Sequence, residues 1–150
     1  MSQHTARLAW TLDSGDFLKG TYSREHVWKF DGGVVVPASP AVSSVPLPYS
    51  NPANVDPEEA YVAAISSCHM LSFLYEAFRA KFEVLSYNDD ATGELTANER
   101  GVKWMSKVTL HPKIVYGVHA PTSEQEANLH HEAHEACYIA NSVKTEIIVA

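Results

Sequence analysis

At 150 residues the chain has the length of one domain, and a domain of that size buries about 70% of the surface its unfolded form exposes. Hydrophobic residues make up 45% and charged residues 19%, which excludes a disordered chain, and 11 basic against 18 acidic residues leave a net charge of −7 that disfavours phosphate backbones and anionic lipid. No apolar run approaches the roughly 20 residues of a membrane span and residues 1–10 hold no apolar signal core, so the expectation is a single cytoplasmic domain over residues 1–150 without nucleic-acid or membrane partners.

Residues 6–13 (ARLAWTLD) and 20–36 (GTYSREHVWKFDGGVVV) have strand composition, and Asp31-Gly32-Gly33 supplies the turn of a hairpin. Strand alternation puts Arg24 on the side of His26, Trp28 and Phe30, the face expected to look inward, where a guanidinium needs an anionic partner. Residues 37–56 hold five of the eight prolines (Pro37, Pro40, Pro46, Pro48, Pro52) and are expected to form a long irregular loop. A helix follows. Asp56 caps it, Pro57 takes its first position, and Glu59 stands at capping-box spacing from Asp56. Ala60, Ala63, Ala64, Ser67, Cys68, Leu71, Leu74, Tyr75 and Phe78 share its apolar side, and the spacing predicts a helix over 57–80. Residues 82–87 (FEVLSY) and 101–118 read as strands, with turn chemistry at Asn88-Asp89-Asp90 and Gly93 between them. A second helix is expected from Ser123, with Glu126 at capping-box spacing, and with Leu129, Ala133, Ala136, Cys137 and Ala140 on one face. Residues 145–149 close the chain as a strand. Strands, helix, strands, helix, strand is an α+β order, because the helices do not alternate with single strands.

Cys68 and Cys137 are the two cysteines, each on the apolar side of its helix. In a reducing compartment such a pair points away from a structural bridge and toward redox or metal chemistry. Free cysteine is also a common core residue, and composition alone favours two packed thiols. If the helices pack together, the thiols could come within disulfide reach, with Cα atoms about 4.4–6.8 Å apart. A rival set of groups lies in His130-His131-Glu132-Ala133-His134-Glu135-Ala136-Cys137, where His130, His134 and Cys137 fall on one side of the helix. Adding Cys68 or His69 would give enough nitrogen and sulfur ligands for zinc. The zincin spacing is absent, since only Ala133 separates Glu132 from His134. The plainer expectation, which ranks first, is a solvated face of His130, His131 and Glu135 with His134 at its edge. Likewise, Arg24 alone reads as an edge residue reaching solvent, and Glu58 as a carboxylate favoured by the positive end of its helix.

The stretch DPEEAYVAAISSCHM, from Asp56 to Met70, resembles the cysteine helix of the OsmC/Ohr family. There a Pro-Glu pair opens the helix, and the reactive cysteine follows ten residues after the Glu. Glu58 and Cys68 hold those places here. Cys137, in HHEAHEACYIANSV, resembles the family's second cysteine, and Arg24, in YSREHVWKFDGG, its N-terminal arginine. The resemblance implies an α+β fold with an N-terminal hairpin, two long core helices, further antiparallel strands and an intertwined homodimer. It also implies a thiol peroxidase that reduces organic hydroperoxides or hydrogen peroxide without metal or cofactor, with a thiol reductant as partner. Cys68 would attack the peroxide and become a sulfenic acid, which Cys137 would close to a disulfide. Arg24 would hold the thiolate, and Glu58 would hold Arg24. The chain departs from the family pattern at His69, where many members have an apolar or aromatic residue, and in its long 37–56 loop. Ten helical residues span about 15 Å, so Glu58 and Cys68 of one helix cannot share a site, and Glu58 would have to come from a two-fold partner. Besides a peroxidase, a His/Cys metal-binding protein and a non-catalytic binding module of the same fold stand as readings.

Overall fold

The computed structural model describes residues Met1–Ala150. The elements run β1 (Ala6–Ala9), β2 (Gly15–Asp16), β3 (Thr21–Tyr22), β4 (His26–Phe30), β5 (Val35–Ala38), α1 (Pro57–Arg79), β6 (Val84–Asp89), β7 (Thr92–Ala97), β8 (Lys103–Leu110), β9 (Pro112–Tyr116), α2 (Ser123–Ala136) and β10 (Glu146–Val149). This is the expected α+β order. The chain divides into two units, Met1–Ala60 and Tyr61–Ala150, with the boundary inside α1. No helix is long and apolar enough to cross a membrane.

In the first unit β1, β4 and β5 form an antiparallel sheet, and β2 pairs with β3 as a short ribbon. The β4–β5 hairpin turns at Asp31-Gly32-Gly33 as the dipeptide chemistry requires, with Gly33 at φ 87, a left-handed angle that suits glycine. Arg24 lies between β3 and β4, outside any strand, so the alternation argument that turned it inward does not hold. Phe30, expected on the inward side, is largely exposed. The proline-rich segment is irregular, as expected, and it is also pinned. Ser39 Oγ accepts the Asn51 N–H at 2.8 Å, Ser50 Oγ donates to the Val45 carbonyl at 2.7 Å, and Glu25 Oε1 receives the side-chain amides of Asn51 at 2.7 Å and Asn54 at 3.2 Å.

α1 begins where its capping box places it: Glu59 N–H donates to Asp56 Oδ1 at 2.7 Å, and Asp56 N–H donates back to Glu59 Oε2 at 3.1 Å. Its buried residues are Ile65, His69, Phe73 and Ala77, a stripe at four-residue spacing. The expected apolar face turns the other way: Ala63, Ala64 and Ser67 are exposed, and Leu71, Tyr75 and Phe78 keep 61%, 59% and 65% of their surface in solvent. α1 is apolar on two sides, and its own chain covers one of them.

The second unit holds two small sheets. β7, β8 and β10 form one, and β6 pairs antiparallel with β9 in the other. β6–β9 and β7–β8 pair antiparallel, as expected, and β10 joins β8 in parallel. The single strand expected over 101–118 is divided at His111. Pro112 has no N–H to continue a ladder, and β8 and β9 join different sheets. β7 occupies a stretch read as turn. Phe73, Ala77, Leu129 and Ala133 make one core cluster, and Ile65, Val108 and Leu110 another. The cap of α2 lies one residue before the expected Ser123: Thr122 Oγ1 accepts the Gln125 N–H, and the Gln125 side chain accepts the Thr122 N–H at 2.8 Å. Its inward side carries Leu129, His130 and Ala133, followed by Cys137 just past its end, while Ala136 is exposed.

Candidate functional site

Cys68 sits half-buried in the middle of α1, and Cys137 closes α2 with 1% of its surface exposed; both are free thiols. The structure brings them near enough that Cys68 helps raise the pKa of Cys137. The Ala140 N–H also donates to Cys137 Sγ at 3.3 Å, from the 3-10 turn Ala140–Ser142 that follows α2. Burial, and after it the neighbouring Cys68, push the Cys137 thiol up to about 11, against the backbone N–H groups of Ala140 and Ile139. At neutral pH Cys137 is therefore a protonated, shielded thiol, and Cys68 is the one that meets solvent.

Beside the thiols lies a second pair. His69 Nε2 and His130 Nδ1 are 2.9 Å apart, joining α1 to α2, and the rings stack within 10° at 5.3 Å between centroids. His69 is 1% exposed and His130 9%, and Phe73 packs on His130 at 4.4 Å. This corrects the expectation of a solvated His130 face: His130 is buried and His134 half-buried, while His131, Glu132, Glu135 and Ala136 are exposed. Burial pushes His69 down to about 4, with His130 and His134 adding to the effect and Asp89 opposing it. Burial lowers His130 as well, again against Asp89. Asp89 is itself held, accepting the Ser66 hydroxyl and, at 2.6 Å, the His111 N–H. No three His, Cys, Asp or Glu side chains converge as a metal would require, so the grouping of His130, His134 and Cys137 as ligands is not assembled.

Arg24 is not paired with a carboxylate. Its guanidinium donates to the Tyr22 carbonyl at 2.7 Å and to the Gly20 carbonyl at 3.2 and 3.3 Å, and lies 4.0 Å from the centre of the Tyr22 ring. Its backbone is fixed as tightly. The Arg24 N–H donates to the Tyr49 carbonyl at 3.0 Å, and the Arg24 carbonyl lies 2.8 Å from His26 Nδ1. The Trp28 indole N–H donates to His26 Nε2 at 3.0 Å. An indole can only donate, so Nε2 accepts, and Nδ1 carries the proton that reaches Arg24. His26 is thus a support for Arg24 that strand reading placed beside it without a role. A cavity of about 290 Å³ opens here, walled by Trp10, Phe17, Tyr22, Arg24 and His26 with Pro40 and Pro57. Glu58 is half-buried in the first turn of α1, ten residues before Cys68 on the same helix.

Residues 50–150 match the sequence model of the OsmC-like protein family. The chain is similar over its whole length to the structure of an OsmC-like protein of unknown function from Vibrio cholerae O1 biovar eltor, with 49% identity, 99% of that chain covered and a TM-score of 0.95. It shares its fold with an organic hydroperoxide resistance protein from Elizabethkingia anophelis, at 20% identity over 99% of this chain and 93% of that one, TM-score 0.73. The same holds for the organic hydroperoxide resistance protein OhrB of Bacillus subtilis, at 17% identity over 97% and 98% of the two chains, TM-score 0.62. No curated protein matches the chain. With the family's sequence pattern running through α1, both cysteines and the last strand, this chain belongs to the OsmC-like protein family.

Proposed function

We propose that the protein is a two-cysteine peroxidase whose substrates are organic hydroperoxides. The observation that carries this reading is the nearness of two free thiols of unequal exposure, Cys68 half-buried and Cys137 buried. The Cys68 thiolate attacks the terminal peroxide oxygen. The O–O bond breaks, the alcohol leaves with a proton, and Cys68 becomes a sulfenic acid. The Cys137 thiol then condenses with it: an S–S bond forms and water departs. An external thiol reductant returns both sulfurs to thiols and is itself oxidised to a disulfide.

Arg24 is assigned to hold the Cys68 thiolate, and Glu58 of the partner subunit to hold Arg24. The separation of Glu58 and Cys68 along one helix, about 15 Å, supports a site completed by a second copy. The exposed Leu71, Tyr75 and Phe78 support it too, as an apolar face wanting a partner. The names of the Elizabethkingia and Bacillus proteins favour an organic over an inorganic peroxide. A cytoplasmic setting fits thiols that must be reduced again after each turnover.

The test is a thiol count before and after one equivalent of cumene hydroperoxide. The expected result is two thiols before, none after, and a Cys68–Cys137 disulfide in the peptide map. Two thiols surviving the peroxide would leave a binding module with the family fold and no turnover.

A further inference from the structure

α1 and α2 carry two pairs between them, Cys68 with Cys137 and His69 with His130. The apolar part of their joint, Phe73 and Ala77 with Leu129 and Ala133, is non-directional and tolerates small shifts of one helix along the other. The histidine hydrogen bond does not. Its 2.9 Å contact needs one ring N–H aimed at one lone pair, and both rings are buried, so a displaced partner leaves a polar atom unpaired in the core. His69 adjoins Cys68 in sequence, and His130 lies two turns before Cys137. A directional tie at that place matters because disulfide closure tolerates only a narrow Cα separation, about 4.4–6.8 Å.

We propose that the His69–His130 hydrogen bond is a positioning clasp that holds α1 and α2 at the spacing required for Cys137 to reach oxidised Cys68. This rests on the two-cysteine reading above, and assigns the pair to the second step alone. The peroxide step needs only Cys68 and its thiolate support. The closing step, in which the Cys137 sulfur displaces the sulfenic hydroxyl and water leaves, needs both helices in register. The clasp works with both rings neutral. The titratable groups around it are Asp89 on β6 and His134 on α2, and burial keeps the pair uncharged at neutral pH.

The test separates the two steps in the full chain after rapid mixing with one equivalent of cumene hydroperoxide. Sulfenic acid is trapped with dimedone, and disulfide is read by mass spectrometry of acid-quenched samples. His130→Leu and His69→Leu should leave the peroxide step within about twofold and slow closure about tenfold or more, the scale expected for a small misplacement of reacting groups. His130→Asn puts an amide where Nδ1 lies and His69→Gln puts one where Nε2 lies, and each should restore closure to within about threefold. Should the leucine variants not fold, His130→Phe keeps a ring against Phe73 without its nitrogens and is read in the same way. Closure at the wild-type rate in these variants, equal slowing of both steps, or no rescue by the amides each overturns the clasp. A wild-type protein that forms no disulfide removes the two-cysteine reading and the clasp with it, whereas a disulfide that closes normally without the histidines removes the clasp alone.

Discussion

The backbone N–H of Ala140 points at the Cys137 sulfur from 3.3 Å. That donor favours the thiolate, yet burial outweighs it and the thiol is pushed up to about 11, from an ordinary value of 9.0. The folded chain therefore holds this proton more tightly than the unfolded chain does. The resulting stability is complete below pH 9.0 and is lost as pH rises toward about 11. Thermal unfolding across that interval should show the loss in wild type and a flatter profile in Cys137→Ala. Parallel profiles would mean that the Cys137 proton contributes nothing.

The unequal exposure of the two thiols sets their roles apart. Cys68→Ser should abolish peroxide reduction. Cys137→Ser should complete one attack and then accumulate sulfinic and sulfonic acid at Cys68, because no thiol remains to trap the sulfenic acid. Intact-mass spectrometry after excess peroxide reads both results, and equal rates for wild type and Cys68→Ser would reassign the attacking group.

Arg24 spreads its guanidinium over two carbonyls and the faces of two aromatic rings, Tyr22 and Tyr49. An ammonium cannot reproduce that fork. Arg24→Lys keeps the charge and should still slow the peroxide step about tenfold, since planarity and direction are lost with the guanidinium. A lysine variant with wild-type single-turnover kinetics would show that charge alone is enough.

A site shared between subunits has a distinctive signature. Glu58→Ala and Cys68→Ser should each be inactive alone, and mixing them under subunit-exchanging conditions should return activity. The mixed dimer holds one site with both residues intact. Exchange without recovery, with mixed dimers detected by native mass spectrometry, would place Glu58 outside the Cys68 site.

Local chemistry was the legible part of this chain. Asp56, Pro57 and Glu59 define the start of α1 within a few residues, and the structure builds their reciprocal bonds. What failed needed tertiary information. α1 is apolar on two sides, and periodicity cannot say which side its own chain will cover, so the stripe of Ile65, His69, Phe73 and Ala77 went unread as the buried one. His130 read as surface because a histidine among Glu and His looks solvated, and only the facing His69 explains its burial. β7 was hidden by turn-forming residues at its entrance and by Gly93 within it. That glycine is there for room: a Cβ would press into Met105 and lie 2.6 Å from Val62. Both cysteines and Glu58 are assigned to the proposed site through a motif, and Arg24 through its place in a hairpin. His26 carried no such signal, since its work is done through the backbone of another residue.

The clamp on the proline-rich segment has one more consequence. Glu25, by taking the amides of Asn51 and Asn54, fixes a stretch that would otherwise sample many shapes. Its conformational entropy is surrendered when the chain folds, not when a ligand arrives. A molecule entering beside Pro40 meets a wall already standing, and its affinity is not diluted by the fraction of time the wall would be elsewhere. The Asn51 hydrogen bond holds the Glu25 carboxyl below its usual range, so this readiness persists into mild acid and gives way only as Glu25 takes up a proton.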